Sequence, residues 1–411
     1  MIHNGGALIA RTRNRTALRV GLFGLLGSGN LGNDGSAKAL VRFLEERHPD
    51  VVVDFMCMGP EAMRERYGLP AIPLNWYHGK RRSGSRLTLN ILKALGKAVD
   101  AVRTARWVAR HDVVIVPGMG TLEATLPLRA WGFPYAVCVL CVAGRLFRTK
   151  VSLVAVGAMV INKRLTRLMF TTAAKLAYYR SFRDVMSKEA LRRMGVDTSR
   201  DEVYPDLVFS LPMPVAEPGG ADIVGVGVMD YHGGNDDRAH ARQIRANYLT
   251  EIKKFVRWLV DNGHQVRLFI GDRTDQVVVR EILADVRSGR PDLDPAWVTA
   301  PAVSSLDDLM REMSAVRTVV ATRYHNVLCA VKLAKPTLSI GYAQKNDVLM
   351  AEMGLAEYCQ RADSVDFRLL VEQFTALERE RDKLIRTMAE RNQANAGELR
   401  RQFDVLSKVM S

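Results

Sequence analysis

Arg323 and His325 lie at a predicted junction between a strand and a helix. Residues 317–321 have the composition of a buried strand, and residues 327–334 have that of a helix. Free backbone N–H groups and the positive end of the helix dipole attract anions at such a junction. A guanidinium can clamp an anion through two hydrogen bonds, and a nearby imidazole can transfer protons at neutral pH. The pattern predicts a site for a small phosphate or carboxylate that undergoes acid–base chemistry.

Lys345 follows the next predicted strand, at residues 337–342. Because successive parallel strands end at the same edge of a sheet, this lysine is expected beside Arg323 and His325. It would add a third positive group to the predicted anion site, as a substrate-binding residue. A solvated surface lysine is the alternative.

Arg183 and Asp184 come directly after another predicted strand, near residues 177–180. Ser187 can cap the helix that follows, which leaves the two charged residues at the carboxyl end of the strand. We predict that Arg183 contacts an anion and that Asp184 helps to orient it. A surface ion pair is the alternative.

A polar, glycine-rich loop joins the first predicted strand to a helix predicted at residues 35–46. Residues 27–32 fit the pattern G-x-G-x-x-G, and Asp54 follows 22 residues later, so a dinucleotide site is an alternative function. Asp54 falls in the middle of the second predicted strand, however, and Asn30 and Asp34 make the loop unusually polar. Such a loop suits a hydroxyl-rich or phosphate ligand, and Asn30 is a candidate substrate-binding residue.

A second glycine turn, at Gly118 and Gly120, ends the predicted buried strand of residues 113–116. Without a Cβ atom, the backbone can approach a ligand closely, so both glycines are candidate substrate-binding residues. A plain strand-to-helix turn is the alternative. The sequence contains no P-loop motif.

Strands and helices alternate along both halves of the chain, which indicates parallel sheets covered by helices on both faces. We predict an α/β protein with two Rossmann-like domains that face each other across a ligand-binding cleft. The predicted domains are residues 15–212 and residues 220–365, separated by a segment rich in proline and glycine. Residues 366–411 are predicted to form a C-terminal helical segment with a break at Gly397.

The formal net charge of +15 is confined to the first half of the chain. Residues 1–210 contain 32 Lys and Arg against 16 Asp and Glu, whereas residues 211–411 contain 27 against 28. The basic half, which includes the run 80–82, indicates either a solvated surface or attraction to an anionic partner. A membrane surface or a lipid-phosphate carrier fits better than nucleic acid, because no nucleic-acid reading module is recognisable.

The longest apolar stretch, residues 132–144, is shorter than the roughly 20 residues that a membrane-spanning helix needs. It predicts a buried strand or a core helix. No secretory signal is recognisable, and the five cysteines are an odd number that lie mostly in apolar runs. The sequence therefore predicts a cytoplasmic protein.

The sequence resembles the polysaccharide pyruvyl transferase family over most of residues 18–350. The resemblance is carried by four segments, which are the loop 29–34, the strand and turn 112–120, the R-D-x-x-S segment 181–195 with Asp206 in a following Pro-Asp pair, and the R-x-H segment 323–326 with Lys345 downstream. Tyr324 stands where the family often has leucine.

The resemblance implies the fold of the two-domain (GT-B-like) glycosyltransferases and transfer of the carboxyvinyl unit of phosphoenolpyruvate to two sugar hydroxyls. Phosphate is released and a cyclic pyruvate ketal is formed. By the same resemblance, Arg183, Arg323 and His325 hold the phosphate and carboxylate of this donor. A protonated His325 would donate a proton, and Asp184 or Asp34 would accept the hydroxyl proton of the sugar. No cofactor beyond the donor, and no metal, is expected.

The fold that the resemblance implies places the acceptor on the side of the basic first domain and the donor on the side of the second. A saccharide on a lipid-phosphate carrier would present both negative charge and a membrane, so we predict salt-sensitive peripheral association with the inner face of the membrane. Three other functions stay open. They are a nucleotide-sugar-dependent glycosyltransferase, an NAD-dependent oxidoreductase, and a non-catalytic anion- or lipid-binding protein.

Overall fold

The computed structural model describes residues 17–76, 86–123, 130–215, 222–234, 237 and 239–411, with residues 86–94 as backbone only. The basic run 80–82 lies outside the described residues. Within them, the chain forms two parallel β-sheets, each accompanied by helices.

The first sheet contains seven parallel strands in the order β3-β2-β1-β4-β5-β6-β7. The strands are β1 (Arg19–Gly24), β2 (Val52–Cys57), β3 (Ala71–Pro73), β4 (Val113–Pro117), β5 (Lys150–Val156), β6 (Tyr179–Phe182) and β7 (Glu202–Val203). The helices are α1 (Leu31–Arg47), α2 (Pro60–Tyr67), α3 (Arg86–Val108), α4 (Phe133–Phe147), α5 (Arg164–Leu176), α6 (Val185–Arg193) and a short 3-10 helix (Leu207–Ser210).

The second sheet contains six parallel strands in the order β10-β9-β8-β11-β12-β13. The strands are β8 (Ile223–Gly227), β9 (Gln265–Phe269), β10 (Val298–Thr299), β11 (Thr318–Ala321), β12 (Thr337–Gly341) and β13 (Cys359–Arg361). The helices are α7 (Ala241–Asp261), α8 (Gln276–Gly289), α9 (Leu306–Ser314), α10 (Tyr324–Lys332), α11 (Gln344–Glu352), α12 (Phe367–Arg379) and α13 (Arg381–Met410), with 3-10 helices at Arg273–Asp275 and Pro295–Trp297.

In both sheets the strand order reverses beside the first strand, between β1 and β4 and between β8 and β11. In open parallel sheets, ligands bind outside the carboxyl ends of the strands at this point. Strand β4 is buried along its whole length, as expected for a parallel strand with helices on both faces of its sheet. The predicted α/β class with two Rossmann-like sheets is confirmed.

Helix α10 begins at Tyr324, three residues earlier than predicted. The backbone N–H of Val327 already donates to the carbonyl of Arg323, at 3.0 Å, so the first helical turn closes there. His325 therefore lies within this first turn, close to the carboxyl end of β11.

Helix α13 continues through Gly397, where the sequence predicts a break. A glycine inside a helix costs only about 1 kcal/mol relative to alanine, and packing of the end of α13 outweighs this cost. The ring of Phe403 stacks on Phe43 with 4.7 Å between centroids, and Nε2 of Gln402 donates to Oγ of Ser181 at 2.8 Å. The C-terminal helix thus ends against the first sheet.

The longest apolar stretch of the sequence forms most of α4 and is a helix with one buried face. Across the part of the chain that the structure describes, no helix combines the length and the apolar character needed to cross a membrane.

Candidate active site

Glu123, just beyond β4, joins the two sheets in the cleft. It accepts a hydrogen bond from Arg183, which follows β6, and one of 3.0 Å from Nζ of Lys345, in the first turn of α11. The three side chains are largely buried, with exposed fractions of 8%, 1% and 14% respectively. The structure thus brings together two of the predicted cations, around a carboxylate that was not predicted.

The two cations decide the ionisation of Glu123. Burial raises the pKa of this carboxyl group, but the attraction of Lys345 and Arg183 outweighs burial and lowers the pKa to about 2. In the same way, burial lowers the pKa of Lys345, and the attraction of Glu123 reverses the shift. Both groups of the pair are therefore charged at neutral pH.

Two glycines make room for this carboxylate. A Cβ atom at Gly120 would lie 2.5 Å from Oε2 of Glu123, and one at Gly157 would be closer still to its other oxygen. Gly118 has a φ of +46° and lies against α1, where a Cβ atom would be 2.5 Å from Oγ of Ser36. The two glycines that were predicted to approach substrate, Gly118 and Gly120, therefore approach side chains of the protein itself.

Arg183 is surrounded by carboxylates. Besides Glu123, Oδ2 of Asp184 lies 3.6 Å from its Nε atom and Oδ2 of Asp206 lies 3.7 Å from its Nη1 atom. Burial lowers the pKa of Arg183, but the carboxylates raise it above its ordinary value. The protein itself thus supplies partners for Arg183, and contact of this residue with an anionic donor stays a prediction. The guanidinium positions three carboxylates at the edge of the sheet.

Asp184 is the N-cap of α6, a place that the sequence assigned to Ser187. Its Oδ1 atom accepts a hydrogen bond of 2.6 Å from the backbone N–H of Ser187. The hydroxyl of Ser187 instead accepts from the backbone N–H of Ala158, at 2.9 Å. With Oδ1 at the cap and Oδ2 beside Arg183, Asp184 orients its neighbours, and proton transfer by this residue stays a prediction.

Tyr324 lies between the two cations of the cleft. The guanidinium carbon of Arg183 is 4.7 Å from the centre of the Tyr324 ring, and Nζ of Lys345 is 5.5 Å from it. Cations at such distances are attracted by the negative face of an aromatic ring. The leucine that often occupies this position in the family would lack this interaction.

His325 packs its ring on Gly32 of α1, where a Cβ atom would overlap the imidazole. Its Nε2 atom lies 4.0 Å from Oδ2 of Asp206, and among the described residues neither atom has a hydrogen-bond partner. Burial lowers the pKa of His325 to about 4, although Asp206 opposes the shift. The imidazole is therefore neutral at pH 7 in this arrangement, whereas the predicted proton donor is the protonated form.

Arg323 clamps a carboxylate of the protein. Its Nε and Nη2 atoms donate to the two oxygens of Asp275 at 2.9 Å and 2.6 Å. Asp275 is fully buried and also accepts from the backbone N–H groups of Gly271 and Asp272. The two-point geometry expected of Arg323 is present with an internal carboxylate as its partner, and contact of this residue with the donor stays a prediction.

Asn30 and Asp34 hold the glycine-rich loop. Asn30 caps α1 by accepting from the backbone N–H of Asn33 at 3.2 Å, so α1 begins four residues earlier than predicted. Asp34 accepts from the N–H of Gly27 at 2.7 Å and lies 3.3 Å from Nη1 of Arg66, and burial raises its pKa. Both side chains hold the loop in place, and their roles in substrate binding and catalysis stay predictions.

Asp54, the acidic residue of the dinucleotide-like pattern, is used in packing. Its Oδ1 atom accepts from Nε1 of Trp107 at 2.7 Å and lies 3.1 Å from Nε2 of His111. Both contacts link β2 to the end of α3. The carboxylate is thereby engaged within the first sheet and its helix layer.

A cavity of about 350 Å³ opens beside Glu123 and Lys345. Its wall includes Ser187 in the first turn of α6 and Gln344 in the first turn of α11, together with Arg193. The positive ends of two helix dipoles and two cations therefore line it. Among the described residues, no group of three or more His, Cys, Asp or Glu is arranged to hold a metal ion.

Glu123 was missed by sequence reasoning, although a signal was present. It is the only acidic residue between Asp112 and Asp184, and it follows a glycine turn at the end of a strand. An acidic residue in such a basic stretch, at a predicted ligand-binding edge, is expected to meet cations.

The sequence model of the polysaccharide pyruvyl transferase family matches residues 30–344. The chain belongs to this family. Family membership makes it a transferase, and the matched range contains Glu123, Arg183 and His325 and ends directly before Lys345. No curated protein matches the sequence significantly.

Solved structures of other sugar-processing enzymes have a similar fold. Anabaena Alr3699/HepE in complex with UDP-glucose has a TM-score of 0.59 at 11% identity, over 95% of this chain and all of that one. The UDP-GlcNAc 2-epimerase of Neisseria meningitidis gives 0.58 at 12% identity, over 95% and 99%. The 2-epimerase of Methanocaldococcus jannaschii gives 0.57 at 10% identity, over 87% and 92%. At these identities the likeness shows the GT-B-like fold alone.

Proposed function

We propose that this pyruvyl transferase moves the carboxyvinyl unit of phosphoenolpyruvate to two hydroxyl groups of a saccharide, and that the saccharide is carried on a lipid phosphate at the inner face of the membrane. The observation that carries the proposal is the contact between Glu123 and Lys345. A cation of the second sheet borders a cavity between the sheets, and its partner is a carboxylate that an incoming anion can replace. Membership of the family supports the reaction type.

The donor would bind with an anionic group at Nζ of Lys345. Phosphoenolpyruvate carries a phosphate and a carboxylate, and the cavity offers Lys345, Arg193 and the first turns of α6 and α11. Arg183 and Arg323 keep their internal carboxylate partners and act through them. Lys345 is thus the donor-binding cation that we consider most important.

Binding of the donor to Lys345 in place of Glu123 would also change the pKa of Glu123. With one of its two cations taken by the donor, the carboxylate keeps only Arg183, and its pKa rises from about 2 towards the ordinary range. A carboxylate in that range can accept a proton from a sugar hydroxyl. Glu123 would then be the general base, next to the predicted candidates Asp184 and Asp34.

The reaction consumes two hydroxyl groups. The oxygen of the first attacks C2 of the donor and loses its proton, while C3 gains a proton and becomes a methyl group. The C2–O bond to phosphate then breaks, the second hydroxyl oxygen bonds to C2, and its proton leaves with the phosphate. The products are a cyclic ketal and hydrogen phosphate, so atoms and charge balance.

His325 would supply the proton for C3 or for the leaving phosphate. Its imidazole is neutral while its pKa is about 4, and a bound phosphate would add negative charge nearby and raise this pKa. Donor binding would therefore prepare both groups, by freeing Glu123 to accept a proton and by allowing His325 to hold one.

Thermal unfolding with and without phosphoenolpyruvate tests the donor assignment. A ligand at a hundredfold excess over Kd adds about 2.7 kcal/mol of stability, so the midpoint should rise measurably. Lys345→Ala should abolish the rise. Lys254→Ala is the matched control, because Lys254 is a half-exposed lysine that is paired with Glu251 on α7 and does not line this cavity.

UDP, UDP-glucose and NAD are compared under the same conditions. Stabilisation by a uridine nucleotide alone would replace the proposal with nucleotide-sugar-dependent glycosyl transfer, and stabilisation by NAD alone would replace it with an oxidoreductase. If phosphoenolpyruvate raises the unfolding midpoint of Lys345→Ala as much as that of wild type, phosphoenolpyruvate is still the donor but Lys345 does not bind it.

A further inference from the structure

The stretch of residues 124–182 contains nine lysines and arginines and no aspartate or glutamate. It contains α4, β5, α5 and β6. Because β4, β5 and β6 follow one another in the same direction across the sheet, right-handed crossovers place α4 and α5 on the same face. The two helices pack against each other, so their outer sides form one continuous surface.

Six cations of this surface are exposed and unpaired. Across the described part of the chain, none of them forms an ion pair with a carboxylate. They are Arg145, Arg148, Lys163, Arg164, Arg167 and Lys175. Some exposed arginines elsewhere are paired, for example Arg257 with Asp285, whereas the stretch 124–182 contains no carboxylate of its own. The surface therefore concentrates positive charge in a segment that has no acidic residue to neutralise it.

Large apolar side chains lie among these cations. On α4, Val142 and Leu146 are one turn apart and expose 45% and 71% of their surface. On α5, Leu165 and Leu168 expose 42% and 61%. Single exposed apolar residues are common on proteins, but a group on two neighbouring helices indicates a surface that another body covers.

We propose that the outer face of α4 and α5 docks on an anionic lipid bilayer. A second copy of the chain is a poorer occupant, because two such faces would bring like charges together. A bilayer interface satisfies both features at once, since its headgroups attract the cations and its acyl boundary accepts leucine side chains. At 15 residues, α4 can lie on this interface but is too short to cross it.

Docking on the bilayer needs neither donor nor acceptor, so it is independent of pyruvyl transfer. The docking face places the first sheet, the proposed acceptor side, next to the membrane. A lipid-linked acceptor would then reach the cleft without leaving the bilayer, which deepens the proposed function without depending on it.

Flotation of the full chain with vesicles tests the proposal. Vesicles of 30% phosphatidylglycerol in phosphatidylcholine should carry the protein at 50 mM salt, whereas pure phosphatidylcholine vesicles, or 500 mM salt, should release it. Each interfacial cation contributes about fivefold to partitioning, so Arg164→Gln with Arg167→Gln should weaken binding roughly 25-fold. Leu146→Ser with Leu168→Ser should weaken vesicle binding by about tenfold or more.

The matched control is Arg257→Gln with Arg290→Gln, which changes the net charge of the chain equally on the second domain. Binding within about twofold of wild type is expected for it. Equal losses in the control and in the α5 pair would show that only net charge matters and would overturn the proposal. The proposal would also be overturned if the protein did not float with anionic vesicles at 50 mM salt or floated equally with neutral vesicles. Self-association of the chain that the α5 variants abolish would likewise overturn it.

The thermal shift with phosphoenolpyruvate is measured on the same variants. A variant that loses vesicle binding but keeps this shift is folded, and its defect lies in docking. Vesicle binding without any such shift would retain docking and count against the proposed donor.

Discussion

Glu123 and Lys345 are 222 residues apart in the sequence and are joined by a 3.0 Å hydrogen bond between the two sheets. The contact ties the carboxyl end of β4 to the start of α11. An anion that binds Lys345 in place of Glu123 leaves this carboxylate with one cation fewer. Substrate binding and the ionisation of Glu123 are therefore coupled. The pair is therefore the first target for substitution.

Glu123→Gln keeps the size of the side chain and removes its charge. We expect kcat for phosphate release to fall by roughly 10²–10⁴, the usual contribution of a general base, while phosphoenolpyruvate binds at least as tightly because Lys345 is no longer neutralised. Steady-state kinetics separate kcat from KM. The control is Glu189→Gln, another carboxylate of the same cavity that does not contact Lys345. A kcat for Glu123→Gln within threefold of wild type would remove Glu123 from the mechanism.

Gly157→Ala should destabilise the fold by about 1–3 kcal/mol, because overpacking at a crowded site costs that much. The added methyl group would lie 2.6 Å from Nη2 of Arg183 and closer still to Glu123. Urea unfolding measures the change. Gly397→Ala is the control, since nothing lies near its added methyl group and a helical alanine should stabilise by about 0.5–1 kcal/mol. If both substitutions changed the free energy of unfolding equally, the site around Gly157 would not be crowded.

His325 should make stability depend on pH. Its pKa is about 4 in the folded protein and about 6.5 when unfolded, so between these values only the unfolded chain binds the proton. The stabilisation by neutral His325 is complete above pH 6.5 and is lost as the pH falls towards 4. Between pH 7 and pH 4, wild type should lose about 3 kcal/mol more stability than His325→Gln. Parallel pH profiles in urea unfolding would show that the histidine is not held neutral.

Arg323→Ala should destabilise by about 3–5 kcal/mol, because it leaves the fully buried Asp275 without its cation. Arg273→Ala, which removes an exposed arginine of the adjacent 3-10 helix, should change stability by less than about 0.5 kcal/mol. Asp275→Asn in the Arg323→Ala background should recover part of the loss. If Arg323→Ala is as stable as wild type but no longer responds to phosphoenolpyruvate, Arg323 binds the donor directly.

Local sequence patterns predicted the main strands and the strand-to-helix junctions. Apolar runs predicted the strands, and the junction at Arg323 and His325 was predicted at the correct edge, because strand ends and helix starts depend on short-range hydrogen bonding and side-chain pattern. The starts of α1 and α10 were predicted late, since Asn30 and Arg323 take N-cap positions inside runs that also resemble loops.

The partners of the charged residues depended on tertiary structure. The alternation of strands and helices, the family, and the concentration of positive charge in the first half follow from the order of the amino acids alone. That order by itself did not determine that Arg323 meets Asp275, that Lys345 meets Glu123, or that α13 returns to the first sheet. Electrostatic pairing acts between atoms a few ångströms apart, and only the packing of two sheets brings residues of distant segments within that range. The same packing buries His325 and lowers its pKa, so the protonation state of the site is a property of the fold.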